Sequence, residues 1–142
     1  MPTLRHLTID DYGAIIRLWQ LAGLQSVRLK GRDSRSAFAS QLNAGQCVIG
    51  LEEGGQLIGA IVITRDAGKG WINRLAIHPD HRRKGYAKRL LAAAEQELRA
   101  MGLHIFAALI EAENTSSRVL FAREGYRTHD VVYVTKRDSD DV

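Results

Sequence analysis

The sequence predicts an α/β fold of the mixed, α+β kind, with a central sheet of about six to seven strands and four helices. Three observations predict it. Residues 85–101 place Ala87, Leu90, Leu91, Ala94, Leu98 and Met101 on one helical stripe. That helix stands between an apolar segment at 71–77 and another at 105–110, and a strand–helix–strand series favours a right-handed crossover between parallel strands. Short apolar segments separated by glycine-rich turns fill the region before it, as antiparallel hairpins do.

The elements follow in order. Residues 3–7 form a first strand, and Thr8 or Asp10 offers a cap for the first helix. Tyr12, Ile15, Ile16, Trp19 and Ala22 recur at helical spacing up to Gly23. Residues 25–35 read as a basic loop. Ser34 caps a second short helix, with Phe38 and Leu42 inward and Gly45 at its end. Residues 47–51 and 57–64 are strands joined through Glu52-Glu53-Gly54-Gly55. A turn at 66–70 leads to the strand 71–77, which Pro79 stops. Gly102 ends the long helix. Residues 105–110 are almost continuously apolar, as in a strand covered on both faces. Asn114 caps a fourth helix, Gly125 ends it, and residues 126–135 form the last strand.

A chain of 142 residues with 45% hydrophobic content suits one domain, 1–142, around one core. No apolar run is long enough to span a bilayer, so no membrane partner is expected. The first residues lack the apolar stretch of a signal peptide, and the single Cys47 suits a reducing compartment; a cytoplasmic location is expected. The net charge of +4 reads first as solvated surface, because aromatics for stacking bases are not interleaved with the basic residues. A nucleic-acid partner is therefore not expected. His78 and His81 flank a turn, but two histidines fall short of a zinc site, and no metal is expected. Cys47 reads as a small core residue, and Trp19 and Trp71 as core residues. The acidic tail 138–142 reads as frayed.

The most informative run is Leu75-Ala76-Ile77-His78-Pro79-Asp80-His81-Arg82-Arg83-Lys84-Gly85-Tyr86-Ala87-Lys88. A strand enters a basic loop and a helix follows at once. A helix start carries unpaired backbone N–H groups and partial positive charge, which together favour an anion such as phosphate. Gly85 lets backbone approach a ligand, Ala87 keeps the first turn uncrowded, and Arg82, Arg83, Lys84 and Lys88 add charge.

This run resembles the acetyl-CoA-binding motif of the GNAT family of N-acetyltransferases, Arg/Gln-x-x-Gly-x-Gly/Ala, through Arg82, Gly85 and Ala87. A second resemblance lies in Asn114, Ser117, Leu120, Phe121, Gly125 and Tyr126, which follow the family's Asn-x-x-Ala-x-x-Leu-Tyr-x-x-x-Gly-Phe pattern with three substitutions. The resemblance implies the GNAT acyl-CoA N-acyltransferase fold and acetyl-CoA as cosubstrate. It implies a pantetheine arm paired with the backbone of Leu75, Ala76 and Ile77, in a gap between the fourth and fifth strands. Pyrophosphate would sit on the loop from Arg82 through Arg83, Lys84, Gly85, Tyr86 and Ala87 to Lys88. Asn114 and Phe121 would also line the cofactor site. The amide of Ile77 would contact the developing oxyanion, and a primary amine of a small molecule or a peptide would be the acceptor. Homodimers are common in the family.

The chain departs from the pattern at both proton-transfer positions. The usual tyrosine acid is matched by Phe121, and the usual glutamate base, five positions before the motif asparagine, by Leu109. Glu111, on the face of Leu109 if strand alternation holds, is the candidate catalytic base; as an ordinary residue it is a solvated carboxylate. His104, Tyr126 and Tyr133 are further candidates, and positioning with water-mediated proton transfer is another route. The alternative function is a non-catalytic acyl-CoA-binding regulatory module. Arg28, Lys30, Arg32 and Arg35 lie where the family builds its acceptor wall; they read equally well as a solvated loop.

Overall fold

A computed structural model describes residues 1–140 and 142, and the one tail position outside them is Asp141. Five strands form one sheet in the order β1 (Thr3–His6), β2 (Cys47–Glu53), β3 (Gln56–Arg65), β4 (Gly70–Ile77), β5 (Phe106–Ala108). The first four are antiparallel, and β5 runs parallel to β4. Helices α1 (Tyr12–Leu21) and α2 (Arg35–Asn43) cover one face, and α3 (Tyr86–Ala100) and α4 (Thr115–Arg123) the other.

Two cores follow from this sandwich. Ile15, Leu18, Trp19 and Phe38 pack on Val48, Ala60, Val62 and Ala76. On the opposite face, Leu90, Leu91, Ala94, Leu98 and Phe121 pack on Ile49, Leu51, Ile58, Ile61, Ile63 and Ile72. Strand β3 feeds both, which is why its sequence is apolar almost throughout rather than alternating. Helix α3 lies close on the sheet: a Cβ at Gly70 would fall 2.4 Å from a methyl of Leu98. Thr8 closes a capping box with Asp11 around the short 3-10 turn Ile9–Asp11 before α1.

Two expectations need correction. The predicted strand over 126–135 is absent, and the sheet has five strands rather than six or seven. Its valines and tyrosine favour extended backbone, but a strand exists only with a hydrogen-bonded neighbour, and none among the described residues reaches this segment. The strand predicted at 105–110 shrinks to Phe106–Ala108, with Ile105 and Leu109 more than half exposed rather than covered. Glu111 therefore lies beyond the strand, so alternation does not align it with Leu109. Trp71 is also no core residue: it is half-buried, and its indole N–H donates to Asp66 Oδ2 at 3.0 Å.

Candidate active site

Strand β4 is bulged. Ala60 pairs with Ala76 and Val62 with Asn73, so Arg74 and Leu75 together oppose Ile61. Arg74 takes a left-handed φ of 43° to make this step. Pairing between β4 and β5 ends at Ile72–Ala108. From Asn73 to Ile77 the side of β4 facing β5 has no strand beside it, which opens a gap between the two.

The ladder decides which groups face that gap. The N–H of His78 donates to Ile58 O at 2.8 Å, which makes 58 and 78 a hydrogen-bonded position of the ladder. The neighbouring pair, Gly59 with Ile77, is then a non-hydrogen-bonded one. The Ile77 N–H and C=O accordingly point away from β3, into the gap. Ala76 belongs to a bonded pair and turns toward β3. Of the expected backbone trio, Ile77 faces the gap, Leu75 lies in the bulge, and Ala76 is buried against α1 and α2.

Beyond Ile77 a 3-10 turn, Pro79–His81, carries the chain to the N-terminus of α3. His78 Nδ1 accepts from the Asp80 N–H at 3.1 Å, which gives this histidine a turn-forming role. Arg83 and Gly85 both adopt left-handed backbone, at φ 64° and 79°. Gly85 is the N-cap residue of α3, and no side chain caps this end. The first-turn N–H groups are thus left for solvent or an anion. A Cβ at Gly85 would meet nothing within 4 Å, so the cradle has room for a ligand. Among the described residues Arg83 and Lys84 have no ion-pair partner, whereas Lys88 lies 3.8 Å from Glu124. Arg82 Nη2 reaches the carbonyl of Ala22 at 3.4 Å, near the C-terminus of α1.

The second motif is structural here. Asn114 Oδ1 accepts from the Ser117 N–H at 3.2 Å and caps α4. Phe121 is 6% exposed and meets Tyr126 edge-on with centroids 4.8 Å apart. The Tyr126 hydroxyl donates to Glu95 Oε2 at 2.6 Å. Burial and this carboxylate push its pKa up, and its proton is directed at Glu95. Glu111, His104 and Tyr133 are exposed.

Beside the bulge of β4 lie residues that sequence reasoning missed. Asp33, 3% exposed, is the one buried charged residue among those described. Arg74 grips it with both guanidinium nitrogens, Nη2 to Oδ2 at 3.0 Å and Nη1 to Oδ1. The Arg28 N–H adds a bond to Oδ2 at 2.7 Å. Arg74 also donates to Ser26 O and lies over the Trp19 ring, 4.6 Å from its centroid. Loop 22–34 is thereby pinned to the bulge of β4. Arg28 and Arg32 spend donors on loop carbonyls, Arg32 on Ser26 O at 2.7 Å, so these two bases shape the loop. No spacing signals a pair 41 residues apart.

Away from this cleft, His6 Nε2 lies 3.0 Å from Glu97 Oε1, and the Cys47 sulfur is within 4.8 Å of both side chains. Burial, with Glu97 adding to it, raises the Cys47 thiol to about 11, and at neutral pH it is protonated.

A family model described as the acetyltransferase (GNAT) family matches residues 12–126. An acetyltransferase of Yersinia pestis (strain Pestoides F) is 25% identical over 129 residues, covering 90% of this chain and 89% of the relative. One of Pectobacterium atrosepticum is 26% identical over 133 residues, covering 93% and 92%. The PaiA N-acetyltransferase of Thermoplasma acidophilum, crystallised with coenzyme A, superposes with a TM-score of 0.79 at 22% identity, covering 93% of each chain. The ribosomal-protein-S18-alanine N-acetyltransferase of Escherichia coli gives 0.79 at 21% identity, covering 92% of this chain and 80% of that one. With its gapped fourth strand, its uncapped helix start and a family match over most of its length, the chain belongs to the GNAT family of acetyltransferases.

Proposed function

We propose that this protein transfers an acetyl group from acetyl-CoA to a primary amine held against loop 22–34. The observation that carries the reading is the conjunction of two backbone features: the open edge of β4 at Ile77 and the uncapped, glycine-started α3. An extended amide-bearing arm suits the first, and a pyrophosphate the second.

Bound acetyl-CoA supplies an activated thioester acyl group. The chain's part is to hold and polarise it. Arg83, Lys84 and the first-turn amides of α3, from Tyr86 through Ala87 to Lys88, receive the phosphates, with Arg82 bracing the loop against α1. The Ile77 N–H is the donor for the oxygen that gains charge during transfer. Phe121 and Asn114 shape the wall from α4, Phe121 by packing and Asn114 by capping. With no proton on Phe121 and that of Tyr126 directed at Glu95, the thiolate leaves to solvent or takes its proton from the incoming amine, by way of water. Glu111 is exposed and lies beyond β5, and a role as base requires its carboxylate to reach the amine in the cleft.

Calorimetric titration with acetyl-CoA, followed by thiol release against a panel of amines, tests this. Micromolar binding, lost in Gly85→Glu because a carboxylate enters the cradle, is the expected result. Amine-dependent thiol release separates the transferase from a silent acyl-CoA module. No binding by the wild-type protein would overturn the assignment of the loop.

A further inference from the structure

We infer that His6, Cys47 and Glu97 form a zinc(II) site on the α3 face of the sheet, with water as the fourth ligand. Three elements bring three different donors together. His6 Nε2, the Cys47 sulfur and a Glu97 carboxylate oxygen all lie within 4.8 Å of one another. His6 Nε2 and Glu97 Oε1 are 3.0 Å apart. Among the described residues no other group of three histidine, cysteine or acidic side chains converges this closely.

The fold fixes the three positions. His6 ends β1 and pairs with Ile49 of β2. Cys47 opens β2 two residues before Ile49, so alternation sends the side chains of His6, Cys47 and Ile49 to one face. That face is the one α3 covers. Ile49 shares a core with Leu90, Leu91, Ala94 and Leu98, and Leu4 and Cys47 pack against it. Glu97 stands three residues after Ala94, on the same side of the helix. His6 and Glu97 are 91 residues apart, so no local spacing marks the cluster.

The donors select the metal. Zinc takes imidazole nitrogen, thiolate sulfur and carboxylate oxygen at about 2.0–2.3 Å in tetrahedral geometry. At those lengths neighbouring ligand atoms stand about 3.4–3.6 Å apart. The nitrogen and oxygen therefore part by a few tenths of an ångström and the sulfur moves in by roughly 1 Å, which side-chain torsions supply. Nitrogen and sulfur donors do not suit calcium or magnesium. Binding forms a Zn–S bond and releases the Cys47 thiol proton to solvent. One thiolate and one carboxylate then balance the two charges of zinc, and histidine enters neutral. The His6 side chain is 63% exposed, which gives the ion a way in from solvent. As a plain exposed ion pair, His6 and Glu97 would contribute little.

The ion clips β1 and β2 to the C-terminal turn of α3. From Tyr86 to Glu97 the helix rises by about 16 Å, so the site is remote from the phosphate cradle. Its role is structural, and the inference does not rest on the reading of the cleft given above.

Tag-free protein stripped with EDTA and titrated with cobalt(II) should bind one equivalent per chain. It should show a sulfur-to-cobalt charge-transfer band and the intense visible bands of four-coordinate cobalt, and zinc should bleach both. The chain has one cysteine, so the charge-transfer band reports this site and no surface histidine. Cys47→Ser should lose the band. His6→Gln and Glu97→Gln should each weaken zinc binding by at least about 100-fold, above the roughly 10–100-fold that loss of an outer-shell partner costs. Saturating zinc should raise the wild-type Tm by several degrees and leave the Glu97→Gln variant unmoved, with acetyl-CoA affinity the same in both metal states. The absence of a charge-transfer band from the wild-type protein at one equivalent of cobalt overturns the inference, whether or not any variant folds. So does zinc affinity that survives His6→Gln or Glu97→Gln, or an equal Tm shift in the Glu97→Gln variant. Acetyl-CoA affinity that depends on zinc would overturn the structural role.

Discussion

Arg74→Ala is the sharpest perturbation of loop 22–34. It removes both guanidinium bonds from Asp33, whose side chain is 4% exposed, and leaves that carboxylate only the Arg28 N–H and Arg32 Nε at 3.8 Å. Stripping one partner from a buried pair costs about 3–5 kcal/mol, because the remaining charge is uncompensated. Arg32 offsets part of this, whereas lost stacking on Trp19 adds about 0.5–2 kcal/mol. A net loss of about 3–5 kcal/mol follows, read as a fall of roughly 1–3 M in the urea midpoint. Arg74→Gly should be milder by about 1 kcal/mol, since glycine adopts the left-handed φ of 43° without strain. The combined Arg74→Met, Asp33→Leu variant should recover most of the loss, because no charge is left buried. In steady-state kinetics the loosened loop should raise the amine KM while leaving acetyl-CoA affinity unchanged, as the phosphate loop is untouched. If Arg74→Ala costs under about 1 kcal/mol, or if the two single losses simply add in the double variant, the pair does not clamp the loop and the reasoning fails.

Three further outcomes follow from single side chains. Phe121→Tyr should lower stability by about 1–3 kcal/mol, because its hydroxyl enters a packed core, without raising turnover; a faster enzyme of undiminished stability would show that the ring faces the reacting atoms. Cys47, its thiol raised from 9.0 to about 11 by burial, should react with iodoacetamide at pH 8 roughly 10-fold more slowly than an ordinary thiol; labelling at the rate of a free peptide thiol would contradict its burial. The Asp11 carboxyl is held below 3.8 by the Arg5 guanidinium and the Thr8 N–H. Its folded pKa is depressed, so its contribution is complete above about pH 5 and is lost as pH falls through 3.8 and below. Asp11→Asn should therefore flatten the acid limb of a thermal-denaturation series between pH 5 and 3, and an unchanged limb would count against the pair.

Much of this protein was legible in one dimension because the information was local. Helix α3 starts at Tyr86 and ends at Ala100, one residue inside each predicted bound, since a repeating apolar stripe needs only its own residues to be recognised. The cradle was legible for the same reason: Gly85, the entering strand and the helix are contiguous, and helix-end physics acts within a single turn. Asn114 could be read as a cap from its position alone.

What the tertiary structure decided was pairing. Whether β4 opens at Ile77 depends on where its contact with β5 stops, and on the register that turns the Ile77 amide outward. Neither strand's residues contain that information, because a ladder is a property of two segments. The Arg74–Asp33 clamp joins positions 41 residues apart, and no local pattern marks either residue. The segment 126–135 shows the same limit from the other side. Its composition favours a strand, yet the strand is absent within the chain, because β-structure is completed by a neighbour and composition names no neighbour.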